Sequence, residues 1–391
     1  MKIFFIIICS LSLHTLAKDF HIYLDADLSN NVESGESIRN GMQMAIDHYF
    51  KNKKENEFTV TIKSLDHRGN TRRSLKNFKL ALDDPKMIAV FGGLHSPPLI
   101  TNKGFINDNQ IPTLVTWAAG GPITRTTKKK NWIFRLSVDD SQAGRLISQT
   151  AVNEGCQKPH LVLENTPWGK SNENNMRRSL QDLNIKNYEI SLFDWAVSKS
   201  SASDIANKIK TVKSSCIFFV GNAKDASVIF KSLGESNISI PIYSHWGITS
   251  ANSIEMANLI KENKLNVKLI QTSFSFVQKN LNQFQKNILE SILKRHSFSS
   301  PSKIQPMTGW VHGFDLMTIL LNTIEQLEHD KEIKILRSDL RNKLENLNKP
   351  IKGLVKEYRR PFSGDNSKNA HEALNINDYV MRSYKSDGSL H

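Results

Sequence analysis

Cysteine is scarce in this sequence, and several motifs of catalytic chemistry are absent from it. Only three cysteines occur in 391 residues, and the twelve histidines include no H-E-x-x-H pattern. No G-x-G-x-x-G loop follows the first predicted strand, and no G-x-S-x-G elbow is present, which argues against a nicotinamide enzyme and a serine hydrolase. These absences favour a protein that carries no metal and no cofactor and that is not an enzyme.

Long apolar runs are also missing beyond the N-terminus. The apolar run at residues 3–13 follows Lys2, and it is too short to span a bilayer but suits a signal peptide with cleavage after Ala17. Cys9 follows isoleucines instead of a small residue, which argues against a lipid anchor. We therefore expect an exported protein that starts near Lys18, works in the periplasm and is not embedded in the membrane.

Two cysteines, Cys156 and Cys216, remain after the predicted cleavage. An oxidising compartment permits a disulfide between them. A disulfide also needs a short Cα separation, which the sequence does not define. Paired cysteines and two free thiols therefore both remain open at this point.

The chain is basic, with a formal net charge of +14. Such a balance can indicate nucleic acid, anionic lipid or an anionic ligand as a partner. The basic residues are scattered, however, and Lys128, Lys129 and Lys130 form the only tight run. We therefore interpret the charge as a solvated surface and expect no nucleic-acid partner.

Short β-rich runs alternate with helical patterns along the chain, and the alternation restarts near residue 139. Strands are predicted at residues 20–25, 58–62, 87–91, 113–116, 132–135, 160–163, 188–193, 216–220, 240–243 and 267–271. Helices are predicted at residues 38–49, 75–82, after an N-cap at Ser141, and at 172–183, 202–212, 224–233, 281–295 and 308–327. Strands joined by crossover helices form parallel sheets, and ligands bind beyond the carboxyl ends of such strands.

This pattern predicts an α/β protein of two discontinuous, doubly wound lobes with parallel sheets, joined by a multi-strand hinge. After a signal peptide of residues 1–17, lobe 1 takes residues 18–138 and about 272–375. Lobe 2 takes residues 139–271 and about 376–391. The long helical patterns after residue 271 are thus expected to return to the first lobe.

Four segments in order carry a family resemblance. They are A-V-F-G-G-L-H-S at 89–96, I-P-T-L-V-T-W-A-A-G-G-P-I-T at 111–124, F-R-L-S at 134–137 followed by 140–144, and W-G at 168–169. The chain resembles the type I periplasmic binding proteins of the leucine-isoleucine-valine-binding group, the extracytoplasmic receptors of ABC importers. The resemblance implies a monomer that binds a small-molecule ligand between its lobes and presents it to an ABC transporter permease.

The resemblance also assigns expected ligand contacts in the first lobe. Ser96 stands at or beside the position where amino-acid-binding members hold the ligand carboxylate. Ala119 matches a residue that offers its backbone carbonyl, whereas Gly120 replaces a small hydroxyl residue.

In the second lobe, the resemblance assigns one contact and two departures. Trp168 matches an aromatic residue that flanks the ligand, Asn222 replaces a second aromatic residue, and Trp246 replaces the acidic residue that pairs with the ligand ammonium. A buried ammonium without a carboxylate partner would cost several kcal/mol. We therefore expect a ligand other than a standard branched-chain amino acid.

The residues by themselves also indicate an aromatic cleft. Trp117, Trp168 and Trp246 each follow a predicted strand, so they can stack on a flat ligand or a cation, or else pack the core of a lobe. His95 and His245 lie on strand-end loops and can donate to an anionic group or satisfy local hydrogen bonds.

Two aspartates, Asp25 and Asp27, follow the first predicted strand. They can meet a donor of the ligand or simply shape the turn.

Three functions follow, in decreasing weight. The first is a receptor that closes on its ligand by a hinge motion and delivers it to an ABC importer. The second is a sensory subunit that reports closure to a membrane kinase. The third is a hydrolase built on Ser96 beside His95, although adjacent residues do not place a base on a nucleophile.

Overall fold

The computed structural model describes residues 17–51, 53, 57–125, 130–365, 367 and 369–391. The predicted signal peptide, apart from Ala17, lies outside the described residues, as do Lys128 and Lys129. In the part of the chain that the structure describes, no helix has the length and apolar character needed to cross a membrane.

The first sheet has five parallel strands in the order β2-β1-β3-β4-β5. These are β1 (Lys18–Ala26), β2 (Phe58–Asp66), β3 (Met87–Gly92), β4 (Thr113–Val115) and β5 (Ile133–Arg135). All six residues of the central strand β3 are buried, which is why its sequence is apolar without alternation.

The second sheet has six strands in the order β13-β10-β9-β8-β6-β7, and only β13 runs antiparallel to its neighbour. Its first five strands are β6 (Pro159–Glu164), β7 (Glu189–Phe193), β8 (Cys216–Val220), β9 (Ile242–Ser244) and β10 (Val267–Thr272). A small hairpin of β11 (Ile351–Lys352) and β12 (Glu357–Tyr358) precedes β13 (Tyr379–Arg382). The predicted fold class, α/β with parallel sheets in two lobes, is confirmed.

Eleven helices lie within the described residues and connect or cover the sheets. They are α1 (Val32–Phe50), α2 (Thr71–Leu82), α3 (Ser96–Asp108), α4 (Asp140–Asn153), α5 (Pro167–Asp182), α6 (Lys199–Thr211), α7 (Ala223–Glu235), α8 (Ser253–Glu262), α9 (Gln283–His296), α10 (Met307–Ile324) and α11 (Ile333–Glu345).

Helix α10 packs against α1, although the two helices are far apart in sequence. Their approach is close enough that a Cβ on Gly41 would lie 2.3 Å from the carbonyl oxygen of Trp310. The chain therefore returns to the first sheet after it has built the second. This return agrees with the predicted discontinuous lobes, whose exact boundaries stay a prediction.

A buried arginine joins two of the segments that pass between the sheets. The guanidinium of Arg135, at the end of β5, donates from Nε and Nη2 to the two carboxylate oxygens of Glu372, at 2.8 and 2.7 Å. Nη2 also donates to Asp139 at 2.7 Å, and all three side chains are buried. Bidentate, charge-assisted bonds of this kind fix geometry. Arg135, Glu372 and Asp139 therefore form a clasp that holds together the chain segments that pass between the two sheets.

Cys156 and Cys216 are joined by a disulfide, with a Cα separation of 5.7 Å. Cys156 follows α4 and Cys216 begins β8, so the bond ties a helix to the second sheet. Of the two possibilities that the sequence leaves open, the structure has the paired form.

One local expectation was wrong. The N-cap of α4 is Asp139, whose carboxylate accepts from the backbone N–H of Ser141, so Ser141 lies inside the helix. Helix α3, which the sequence pattern did not predict, begins at Ser96. Pro97 and Pro98 occupy its first turn, where the N–H that proline lacks is not needed.

Candidate ligand-binding cleft

Loops that follow the carboxyl ends of the parallel strands in one lobe contact residues that follow the strands of the other lobe. The backbone N–H of Gly121, after β4, donates to Ser171 Oγ of α5 at 3.1 Å. The rings of His95, after β3, and Trp195, after β7, have centroids 5.1 Å apart. Because ligands of such sheets bind beyond the carboxyl ends of the strands, this region between the lobes is the candidate site.

On the lobe 1 side, the structure brings Ser96 and Gly120 together. The N–H of Gly120 donates to Ser96 Oγ at 3.0 Å, and a Cβ on residue 120 would lie 2.9 Å from Ile100 Cδ1 and 3.0 Å from Ser96 Cβ. The carbonyl of Gly120 accepts from Arg135 Nη1 at 2.9 Å. The loop at Gly120 therefore packs tightly on the start of α3. The neighbouring Ala119 offers its carbonyl to the N–H of Asp140 at 3.1 Å, which uses one of the two lone pairs of that oxygen, and contact of Ala119 or Gly120 with ligand stays a prediction.

His95 belongs to an internal polar cluster. Its Nε2 lies 3.1 Å from Asp27 Oδ2, and the amide of Asn31 donates to the same carboxylate oxygen at 2.8 Å. Burial alone would raise the pKa of Asp27, but hydrogen bonds from His95, Asn30 and Asn31 hold it well below its usual range. Among the described residues no hydrogen bond joins His95 to Ser96, so the pair lacks the geometry of a nucleophile and its base.

Asp25 does not join this set. Its carboxylate accepts from Ser74 Oγ at 2.6 Å and from Asn77 Nδ2 at 2.7 Å, and both partners lie on α2. Burial raises the pKa of Asp25 to about 7. Its bonds fit a role in holding α2 on the sheet, and direct contact of Asp25 with ligand stays a prediction.

The three tryptophans singled out from the sequence are buried near the region between the lobes. Trp117 and Trp246 are each 1% exposed and Trp168 is 6% exposed. The ring of Trp246 lies against His312 of α10 and Tyr379 of β13, with centroids 5.4 and 6.2 Å away. Trp246 therefore packs between the lobes, and direct contact of any of the three with ligand stays a prediction.

Asp140 lies at the start of α4 and is fully buried, yet the sequence suggested no role for it. Its Oδ1 accepts from Trp168 Nε1 at 3.0 Å and from Asn172 Nδ2 at 2.9 Å. The N–H of Gly121 reaches Oδ2 at 3.3 Å, and His245 Nε2 lies 3.4 Å from Oδ1 without hydrogen-bond geometry. Asp140, at the start of α4, thus connects the lobe 1 loop at Gly121 to helix α5 of lobe 2.

Glu164, the last residue of β6, is a second buried carboxylate on the lobe 2 side. It accepts hydrogen bonds from Thr166 at 2.6 Å and from Asn222 Nδ2 at 3.4 Å. Burial raises the pKa of Glu164 to about 7, and the nearby negative charge of Asp225 adds to the effect. Asn222 therefore donates to this carboxylate, and its contact with ligand stays a prediction.

Trp195 supplies an aromatic ring that the sequence did not reveal. It is 36% exposed and lies over Gly69, where a Cβ would come within 3.2 Å of its Cζ3 atom. A search of the residues directly after each strand would have found it, since it follows β7 by two positions. Trp195 of lobe 2 therefore adds an exposed aromatic ring beside His95 of lobe 1.

Several buried polar atoms near these residues have no hydrogen-bond partner among the described residues. They are Trp117 Nε1, Asn172 Oδ1, His245 Nε2, Gln271 Nε2, His312 Nε2 and the hydroxyl of Tyr379. Buried polar atoms are normally paired, so an unpaired set on loops and helices of both lobes indicates that a polar ligand or water completes it.

The described residues hold no group of three or more histidine, cysteine, aspartate or glutamate side chains arranged to bind a metal ion.

A family model described as periplasmic binding protein matches residues 26–343. That match spans well over half of the chain. The chain belongs to the periplasmic binding protein family. The resemblance to type I members is thereby confirmed, and a search of curated proteins found no match.

Solved structures of the family share the fold at low sequence identity. A solute binding protein of an ABC transporter from R. palustris, in complex with benzoate, has 16% identity and a TM-score of 0.77, with 96% of this chain and 95% of that chain covered. The leucine binding protein LivK from Thermotoga maritima has 15% identity and a TM-score of 0.74, with 95% and 97% covered. The branched-chain amino acid binding protein LivJ from Streptococcus pneumoniae, in complex with isoleucine, has 17% identity and a TM-score of 0.75, with 95% and 98% covered.

Proposed function

We propose that this periplasmic binding protein is the solute receptor of an ABC importer, that it closes on a small ligand between its lobes, and that it has no catalytic activity. The observation that carries the proposal is the family match together with the contacts between strand-end loops of both lobes, Gly121 with Ser171 and His95 with Trp195. A ligand that contacts both lobes stabilises the closed form by its differential affinity, and the closed form is what a permease recognises.

The ligand is something other than a standard branched-chain amino acid. Trp246 stands where an acidic residue would pair with the ligand ammonium, and its ring is packed against His312 and Tyr379. Gly120 lacks the hydroxyl side chain of the family pattern, and a Cβ there would press on Ile100 and Ser96. These two departures change both ends of an amino-acid site.

The test is a thermal-shift screen of the purified mature protein with amino acids, short acids, amides, amines and aromatic acids. A ligand raises the melting temperature because it binds the folded state. Each compound that does so is then tested by small-angle X-ray scattering, where the proposal expects the radius of gyration to decrease on binding. Leucine binding at about micromolar strength would contradict the proposed ligand class.

A further inference from the structure

The lobe 2 side of the cleft contains buried acidic groups that lack a direct salt bridge. Among the described residues, no lysine or arginine nitrogen lies within 4.0 Å of a carboxylate oxygen of Glu164, Asp140 or Asp225. All three side chains are buried. Arg135 attracts Asp140, and Lys224 attracts Asp225, only over a longer distance. Buried carboxylates are normally paired with a cation or neutralised by a proton, so a cation at direct contact would stabilise them.

An indole N–H holds one of these carboxylates in place. Trp168 Nε1 donates to Asp140 at 3.0 Å. A neutral donor of this kind orients a carboxylate but does not cancel its charge. The same indole provides an aromatic face, and aromatic faces attract cations.

Unpartnered acceptors next to these groups provide an independent observation. Asn172 is fully buried, and its Nδ2 already donates to Asp140 Oδ1 and to the carbonyl of Trp168, whereas its Oδ1 has no partner among the described residues. His312 donates from Nδ1 to the carbonyl of Thr116 at 2.7 Å, which leaves a bare Nε2 that also has no partner. Both atoms need an N–H or O–H donor.

We infer that the ligand carries a positively charged nitrogen group, an ammonium or an amidinium, that binds beside Glu164 and Asp140 and donates to the free acceptors. This inference rests on the proposed function, since it names the class of ligand for the same cleft. The unpartnered N–H groups of Trp117 and Gln271 bind an acceptor elsewhere on that ligand.

The inference also predicts how affinity depends on pH. Burial raises the pKa of Glu164 to about 7, and Asp225 and Asp140 act in the same direction, whereas Thr166 and Trp195 oppose it. A cation binds the ionised carboxylate, so binding releases the proton that Glu164 holds near neutral pH. Affinity for a cation therefore rises with pH until Glu164 is ionised in the free protein, a little above pH 7.

The probes are benzamidine, benzamide and benzoate, which share one planar shape and carry a positive, zero and negative charge, together with benzylamine, choline and putrescine. Dissociation constants are measured by calorimetry at about pH 6 and about pH 8. The expected result is binding of at least one cation, preference for benzamidine over benzamide and benzoate, and tighter binding at the higher pH.

Glu164→Gln and Asp140→Asn each remove one carboxylate, and each is expected to weaken cation binding by roughly tenfold or more. Asp315→Asn is the matched control, since it neutralises a buried carboxylate of α10 that accepts hydrogen bonds from Leu354, Val355 and Tyr358, and it should leave affinity unchanged. Circular dichroism verifies that each variant is folded.

Preference for benzoate, or cation binding that is unchanged in both cleft variants, overturns the inference. If benzoate or leucine binds and compacts the protein, the proposed receptor function stands and only the cationic ligand class fails. If no compound of any charge binds, both fail.

Discussion

The two sides of the cleft differ in the partners of their loop residues. On lobe 1, Ser96 is taken by Gly120, His95 by Asp27, and Asp25 by the helix behind it. On lobe 2, Glu164 and Asp140 accept hydrogen bonds from neutral donors and form no salt bridge with a lysine or arginine among the described residues. Under the proposed ligand class, lobe 2 supplies the negative charge that a cationic ligand meets, and lobe 1 adds the unpartnered Trp117 Nε1 and His312 Nε2.

The largest effect should come from the clasp formed by Arg135, Glu372 and Asp139. Arg135→Met leaves the buried carboxylate of Glu372 without its cation and leaves Asp139 with Arg125 alone, which should lower the free energy of unfolding by about 3–5 kcal/mol. Chemical denaturation measures this. The matched control is Arg68→Met, which breaks a pair with Asp66 whose arginine side chain is 55% exposed, and it should cost less than about 1 kcal/mol. Equal losses in the two variants would contradict the role of the clasp.

The second-largest effect is expected in the pH dependence of stability, which depends on two buried carboxylates with raised pKa values, one on each lobe. Glu164 and Asp25 hold protons in the folded state up to about pH 7, but in the unfolded chain they ionise near their usual values. Stability should therefore fall as pH rises from about 5 to about 8, by up to about 3 kcal/mol for each group.

Glu164→Gln and Asp25→Asn should each remove part of that fall when denaturation is followed across this pH range. Only Glu164→Gln should also change ligand affinity. If Asp25→Asn weakens binding as well, the distinction between the two lobes fails.

A smaller effect is expected at the start of α3. Ser96→Ala removes the acceptor of the buried Gly120 N–H and should cost about 2 kcal/mol of stability. Thermal denaturation of Ser96→Ala beside Ser96→Thr, which keeps the hydroxyl, separates the lost hydrogen bond from a general packing change. A Ser96→Ala protein with unchanged stability but abolished binding would make Ser96 a ligand contact instead.

The smallest effect should come from Trp195. Trp195→Ala removes the ring contact with His95, which is worth about 1 kcal/mol in the closed form, so ligand affinity should fall roughly fivefold. Trp195→Phe keeps a ring and should retain most of the affinity. Stability of the ligand-free protein should hardly change, because the side chain is 36% exposed.

Much of the fold follows from the sequence, since buried parallel strands such as β3 and β8 are short apolar runs between helical patterns. The start of α3 did not follow, because Pro97 and Pro98 fit a turn as well as a first helical turn. The antiparallel strand β13 also escaped prediction, since its pairing with β10 depends on a contact distant in sequence.

The candidate site was predicted less well than the fold. The strand-end rule located Trp168 and Trp246 but not Glu164 or Asp140, because a single carboxylate at a strand end or a helix start carries no spacing signal. Trp195 was missed since it follows the half-exposed strand β7 and belongs to no motif. Which polar atoms remain unpartnered depends on the contact between the lobes, and only the three-dimensional structure reveals it.

The central claim is that the two lobes close on a ligand, and small-angle X-ray scattering tests it most directly. The mature protein is measured alone and with the compound that most raises its melting temperature, at a concentration that saturates the site. The account predicts a smaller radius of gyration and a narrower distance distribution in the presence of ligand. Identical scattering curves from the free and the saturated protein would contradict it.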